Sequence, residues 1–273
     1  METRKKISLA VLGALCCLQF SGVALAEEDK PTANLSVSAL SKYVWRGFEL
    51  SKDSIVIQPS ATVAYKGLSA NLWGNEDTNV YVQGPSWQDS SNWTETDFTL
   101  AYDWTMGPVG LTAGYIYYGL DNAEDTQELF AKAALKVLLT PTLTVYRDFD
   151  YYPGWYLTLG VSHTVPITEK IGLSLGAQVG YLAADDSSSY PEYNGVSNPT
   201  GEAYSGFHDG LLTASLAIPL TDLITITPVL NYSFPLTSDA GDLIETLSQD
   251  VLNGKTSGNN DFVYGGVTVS MAF

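Results

Sequence analysis

Lys42 and Arg46, Glu95 and Asp97, Glu128, Lys132 and Lys136, and Asp148 and Asp150 form sets whose members stand two or four residues apart. Successive side chains of an extended strand point to opposite faces, so even spacing places each set on one face. With Asp103 they make ten charges that one face of the first seven strands would carry, while the later strands offer that face almost only Gly, Thr, Ser, Asn and Gln. Charges lining a narrow lumen set its field and its ion preference, which is the chemistry of solute permeation. The same charges, paired with one another, would instead fill a sealed interior. Lumen room grows with strand number, which favours lining for a barrel of about twelve strands. Inward Trp73, Tyr118, Tyr146, Tyr152 and Tyr156 would add stacking surfaces for sugars or simply fill space.

Catalysis has less to work with. His163 and His208 are the two histidines, and His208 beside Asp209 would point to the opposite face of a strand unless a bulge intervenes. Glu95 and Asp97 share a face without a nucleophile near them in the pattern. Neither a Gly-rich dinucleotide fingerprint nor a P-loop occurs. No enzyme activity, cofactor or metal is therefore expected, with a hydrolase using His208 as the weakest of the alternatives. The loops carry Glu76, Asp77, Asp89, Asp121, Glu124, Asp125, Asp185, Asp186, Glu192, Glu202, Asp239, Asp242, Glu245 and Asp250. Such a rim concentrates cations; divalent ions shared with lipopolysaccharide phosphates are conceivable, although no EF-hand spacing is present.

The elements that must position these residues follow from the period of the pattern. The chain of 273 residues has 45% hydrophobic and 16% charged residues, enough to fold, and a net charge of −17 that argues against nucleic-acid partners. Arg4, Lys5 and Lys6, the apolar run from Ile7 to Phe20 and Ala24-Leu25-Ala26 read as a signal peptide over 1–26. Both cysteines, Cys16 and Cys17, fall within it, so the mature chain, 27–273, would have neither disulfide nor thiolate ligand.

Beyond residue 26 no apolar stretch reaches the length of a membrane helix, so a membrane-spanning form must be a closed barrel. Ile171, Leu173, Leu175, Ala177, Val179 and Tyr181 alternate with Gly172, Ser174, Gly176, Gln178 and Gly180. The same test gives twelve strands, at 34–46, 54–66, 67–75, 94–106, 108–120, 126–139, 141–152, 154–165, 169–182, 207–218, 221–234 and 261–273. Tight turns such as Lys66-Gly67 and Gly107-Pro108 alternate with longer connections around 76–93, 183–206 and 235–260, as in outer-membrane barrels with both termini in the periplasm. Tyr43, Trp45, Tyr117, Tyr151, Trp155, Tyr181, Tyr232 and Phe234 would girdle the long-loop rim, and Tyr65, Tyr102, Trp104 and Phe273 the short-turn rim. Arg147 falls on the lipid-facing side of this scheme, which predicts either a bulge or a position high enough to escape lipid. Leu243, Leu247 and Val251 recur at helical spacing, with Asp239 or Asp242 as a cap and Gly254 as a stop. Such a helix would either enter the lumen or pack on the rim.

Ser41-Lys42-Tyr43-Val44-Trp45-Arg46-Gly47, Gln58-Pro59-Ser60 and Gly67-Leu68-Ser69-Ala70-Asn71-Leu72-Trp73-Gly74-Asn75 carry a likeness that covers the first three strands. Over them the chain resembles the TorF-type outer-membrane porin family of proteobacteria. The resemblance implies a barrel and passive transport of an unassigned solute, with no catalytic motif to transfer. Phe273 looks like the end recognised by the barrel-assembly machinery.

The sequence thus predicts an all-β, up-and-down transmembrane barrel in a bacterial outer membrane, a monomer, passing small hydrophilic solutes with a preference for cations. Its expected partners are outer-membrane lipid, lipopolysaccharide, the barrel-assembly machinery and the solutes themselves. A sealed barrel acting through its loops is the main alternative.

Overall fold

The computed structural model describes residues 30–51, 54–80, 90–121, 123–252 and 255–273; the expected signal peptide lies outside them. In chain order the elements are β1 (Thr32–Leu40), β2 (Val44–Trp45), β3 (Phe48–Glu49), β4 (Val56–Tyr65), β5 (Leu68–Val80), β6 (Ser90–Met106), β7 (Val109–Leu120) and β8 (Thr126–Leu135). Next come β9 (Thr142–Asp148), β10 (Gly154–Pro166), β11 (Gly172–Ala184), β12 (Pro191–Tyr193), β13 (Pro199–Ala203), β14 (Ser205–Pro219) and β15 (Ile224–Pro235). The helices α1 (Ser238–Thr246) and α2 (Gln249–Leu252) precede the last strand, β16 (Phe262–Ala272).

Twelve of these strands close a barrel in the order β1-β16-β15-β14-β11-β10-β9-β8-β7-β6-β5-β4. Every neighbouring pair is antiparallel, and closure comes from β1, which pairs Leu40 with Gly266 on one side and with Val56 on the other. A closed ladder leaves no strand edge, the condition for a sheet to lie in lipid.

Alternation then decides what each face meets. Leu35, Val63, Leu72, Leu100, Leu129, Leu143, Leu159, Leu175, Leu212, Leu230 and Val267 stay exposed around the outside. Ser69, Asn71, Thr99, Thr112, Thr144, Thr158, Ser174, Thr213 and Ser215 are buried on the inside. Apolar outside and polar inside inverts a water-soluble sheet, and lipid is the solvent that suits it. Aromatic side chains edge this band: Tyr102 stacks on Trp104 near the short turns, and Tyr181–Phe207 and Tyr232–Phe234 meet near the long loops. The protein is a twelve-stranded antiparallel barrel of the bacterial outer membrane.

Several boundaries differ from the sequence reading. The first barrel strand ends at Leu40 rather than at residue 46, because Lys42 to Ser51 turn inward. The sixth ends at Leu135, where Leu139 and Thr140 adopt positive φ in the turn that follows. β5 runs on to Val80, so Glu76 and Asp77 belong to the sheet, and Asp77 is buried.

Candidate binding site beneath an inward hairpin

Among the described residues β2 and β3 pair only with each other, Val44 with Glu49 and Trp45 with Phe48, as a small hairpin inside the mouth of the barrel. Its two-residue tip, Arg46 and Gly47, has φ of 50° and 83°, the doubly left-handed turn that matches strand twist. Gly47 is needed for its conformation and for its surroundings: a Cβ would stand 3.0 Å from Cδ1 of Ile244 and 3.1 Å from Cβ of Asp209. At the base, the Leu50 N–H donates to the Tyr43 carbonyl at 2.8 Å and the Tyr43 N–H to Ser51 Oγ at 2.7 Å, while Lys42 pairs with Glu49.

The tip is held by the wall. Arg46 donates through both terminal nitrogens to Glu128, at 2.8 and 2.7 Å, and the Tyr118 hydroxyl donates to the same carboxylate at 2.8 Å. Three rings face the guanidinium, Trp45 at 4.3 Å, Tyr156 at 4.4 Å and Tyr146 at 4.9 Å to the centroid. Arg46 is 7% exposed and Glu128 2%. A bidentate, desolvated ion pair under aromatic faces is the arrangement in which arginine binds most selectively.

Behind the hairpin, β14 contains a bulge. Val179 of β11 pairs with Gly210 but Tyr181 pairs with Phe207, so His208 and Asp209 together oppose Gly180 and both are buried. The His208 ring nitrogen Nε2 lies 3.1 Å from the Arg46 carbonyl, and Asp209 accepts from the Tyr156 hydroxyl at 2.8 Å. A Cβ on Gly180 would sit 2.2 Å from the Asp209 carboxylate, so glycine there makes the room. Alternation alone would separate His208 from Asp209; the bulge corrects that. Its sequence signal is two consecutive polar residues in an otherwise alternating strand.

A lid of loop elements covers the hairpin. In α1 the cap is Thr237, whose hydroxyl accepts from the Ala240 N–H at 3.1 Å, rather than Asp239 or Asp242. Leu243 and Ile244 join Val44, Phe48, Tyr156, Leu182, Tyr204, Phe262 and Tyr264 in one apolar core, with Trp45, Tyr190, Tyr193 and Leu247 against it. The β12–β13 loop is tied to the same helix: the Gly195 N–H donates to Asp242 at 2.7 Å and the Ser197 N–H to Thr246 at 2.9 Å. The helix therefore packs on the hairpin at the long-loop end of the barrel. Gly254, the expected stop, lies outside the described residues.

The ten charges separate accordingly. Glu95, Asp97, Glu128 and Asp148 are buried on the inner face of the wall, whereas Lys42 and Arg46 reach the lumen on the hairpin and not on a strand. Glu95 interacts with Tyr43 and Asp97. Asp148 accepts from Thr126 at 2.7 Å. Asp103 accepts from Thr112 and lies near Lys132 in the periplasmic half. Lys136 and Asp150 are exposed beyond the strand ends, Lys136 donating to Thr105 at 3.3 Å and Asp150 accepting from Gln127 at 2.7 Å. Tyr43 and Trp45, expected in the outer girdle, face the interior, where Tyr43 packs tilted against Trp73 and Trp45 meets Tyr118 edge to face.

Arg147 keeps regular pairing with Leu129 and Trp155 and faces outward without a bulge. It sits at the rim, forked to Asp185 at 2.8 and 2.6 Å over the Trp155 ring, so its charge is neutralised beyond the apolar band. Of the two resolutions expected from sequence, the high position is the one adopted.

No family model and no curated protein matches the chain. Among solved structures it is similar to an outer-membrane channel from Pseudomonas putida F1, at 9% identity and a TM-score of 0.45, covering 89% of this chain and 94% of that one. It is also similar to outer-membrane phospholipase A from Escherichia coli, at 13% identity and a TM-score of 0.39 over 88% and 95%. A loop-deleted OmpT, an outer-membrane protein of Vibrio cholerae, matches at 8% identity and a TM-score of 0.39 over 89% and 98%.

Proposed function

We propose that this barrel is a porin-like channel for passive diffusion of small hydrophilic solutes, cation-favouring, that rests with its outer half occluded by the β2–β3 hairpin. The observation that carries this reading is the independence of the hairpin. Among the described residues it shares no ladder with the wall, so it can leave the lumen without breaking a barrel hydrogen bond of the sheet. The wall it would uncover carries the carboxylates Glu95, Asp97, Glu128, Asp148 and Asp209 beside the rings of Tyr118, Tyr156, Phe262 and Tyr264 in the outer half, and serine, threonine and asparagine side chains in the periplasmic half. An excess of carboxylates over bases favours cations. The likeness to TorF-type porins points the same way.

The apolar core shared by hairpin and α1 favours a second reading, a permanently sealed barrel that acts through its loops. The two are separated in a planar bilayer under a salt gradient, with heat-modifiable gel migration to show folding. Brief cation-selective openings of the folded protein support the channel; persistent silence, also after the hairpin is cut back, supports the sealed barrel. No enzyme activity belongs to either reading, and an unchanged lipid-directed activity assay on His208→Ala checks that.

A further inference from the structure

Glu128, Tyr146 and Tyr156 belong to the barrel wall, yet their common partner is a single side chain from a separate element, and Tyr118 of the same wall holds Glu128. The wall supplies a carboxylate aligned to take both terminal nitrogens of a planar cation, a hydroxyl that fixes that carboxylate, and two aromatic faces within 5 Å of the cation. Tyr156 is itself fixed by Asp209, which needs both the β14 bulge and the space at Gly180 to reach it. A shell positioned this thoroughly is a receptor geometry, because affinity for a small ion depends on orienting groups before it arrives. Beside it, Asp97 pairs with Tyr118 across the ladder, is 4% exposed and shares a side-chain hydrogen bond with Glu95, so a second carboxyl pair stands next to the fork.

We propose that this wall is a binding site for solutes bearing a guanidinium group, and that Arg46 occupies it as an internal stand-in for such a solute. The proposal deepens the channel reading by naming its solute class. A guanidinium solute competes with Arg46 for Glu128 and the two tyrosine faces, so its arrival weakens the hairpin's hold in proportion to its concentration. A primary ammonium lacks the planar fork and loses the bidentate contact.

The test removes the stand-in and offers its tip in solution. Arg46→Ala and Arg46→Gln are refolded in detergent with methylguanidinium or methylammonium at equal ionic strength, and refolding yield, thermal midpoint and bound probe by calorimetry are read. The expected result is saturable binding of methylguanidinium to either variant, at least tenfold tighter than methylammonium, with a raised thermal midpoint or recovered refolding yield. Binding to the wild type is at least tenfold weaker, and adding Glu128→Gln to either variant abolishes it. Equal response to both probes, survival of binding in the Glu128→Gln double variant, or variants that neither bind methylguanidinium nor refold better in it would overturn the proposal. Conduction enters none of these readouts: binding by a protein that never conducts keeps the site and removes the channel, and conduction without binding does the reverse.

Discussion

Glu128 neutralises a guanidinium that is almost wholly buried, and the strength of that contact lies in what its loss would leave behind. Glu128→Ala strands the Arg46 charge in a buried site, a change that costs about 3–5 kcal/mol where a buried pair is broken. A lower denaturant midpoint is expected for the folded barrel, and a smaller loss when Arg46→Met is added, since the double variant strands no charge. At the rim the physics is weaker. The Arg147 guanidinium holds the Asp185 carboxyl below the usual aspartate range. A depressed folded value contributes stability above the unfolded aspartate value that is lost as pH falls through the folded one, and exposure keeps the contribution small. Asp185→Asn should flatten the acid-side dependence of amide exchange at the β11 end and slightly quicken exchange near neutrality, where the ion pair contributes. Among single residues, the inward charges of β6 and β8 were legible from even spacing. Arg46 was legible as inward but not as part of a hairpin, and the approach of Asp209 to Tyr156 was hidden because it needs a bulge that simple alternation does not contain.

The twelve strands show in the sequence because period two survives wherever one face is lipid and the other is not. The β2–β3 hairpin does not, since Lys42, Val44 and Arg46 continue the alternation of β1 and only the left-handed pair at Arg46 and Gly47 reveals the reversal. The helix is visible from Leu243 and Leu247, yet its partner is not, because packing between two loop excursions leaves no periodic trace. Leu243 is fully buried in the core that joins helix to hairpin. Leu243→Ala removes packing worth about 2–5 kcal/mol at a site that cannot fully collapse. The loss should fall on the lid rather than the barrel: amide exchange quickens in α1 and the hairpin, openings in the bilayer become more frequent, and heat-modifiable migration of the barrel persists. Unchanged exchange in the hairpin would separate the two elements energetically.

At the scale of the molecule, the barrel has two unlike halves. The periplasmic half is a polar-lined cylinder in which Ser38 meets Thr268 and Thr164 meets Ser174 at 2.8 Å. The outer half is a small folded core enclosed by the same wall, built from the hairpin, α1 and the loop between β11 and β14. One ladder supports both, so the contents of the outer half can change while the barrel stands. The most direct measurement is single-channel conductance of the wild type beside a variant in which residues 43–49 are replaced by a short Gly-Ser linker, both refolded and shown to be heat-modifiable. The expected result is a wild type that is closed for most of the record and a variant with sustained, cation-selective steps. A folded variant as silent as the wild type would contradict it.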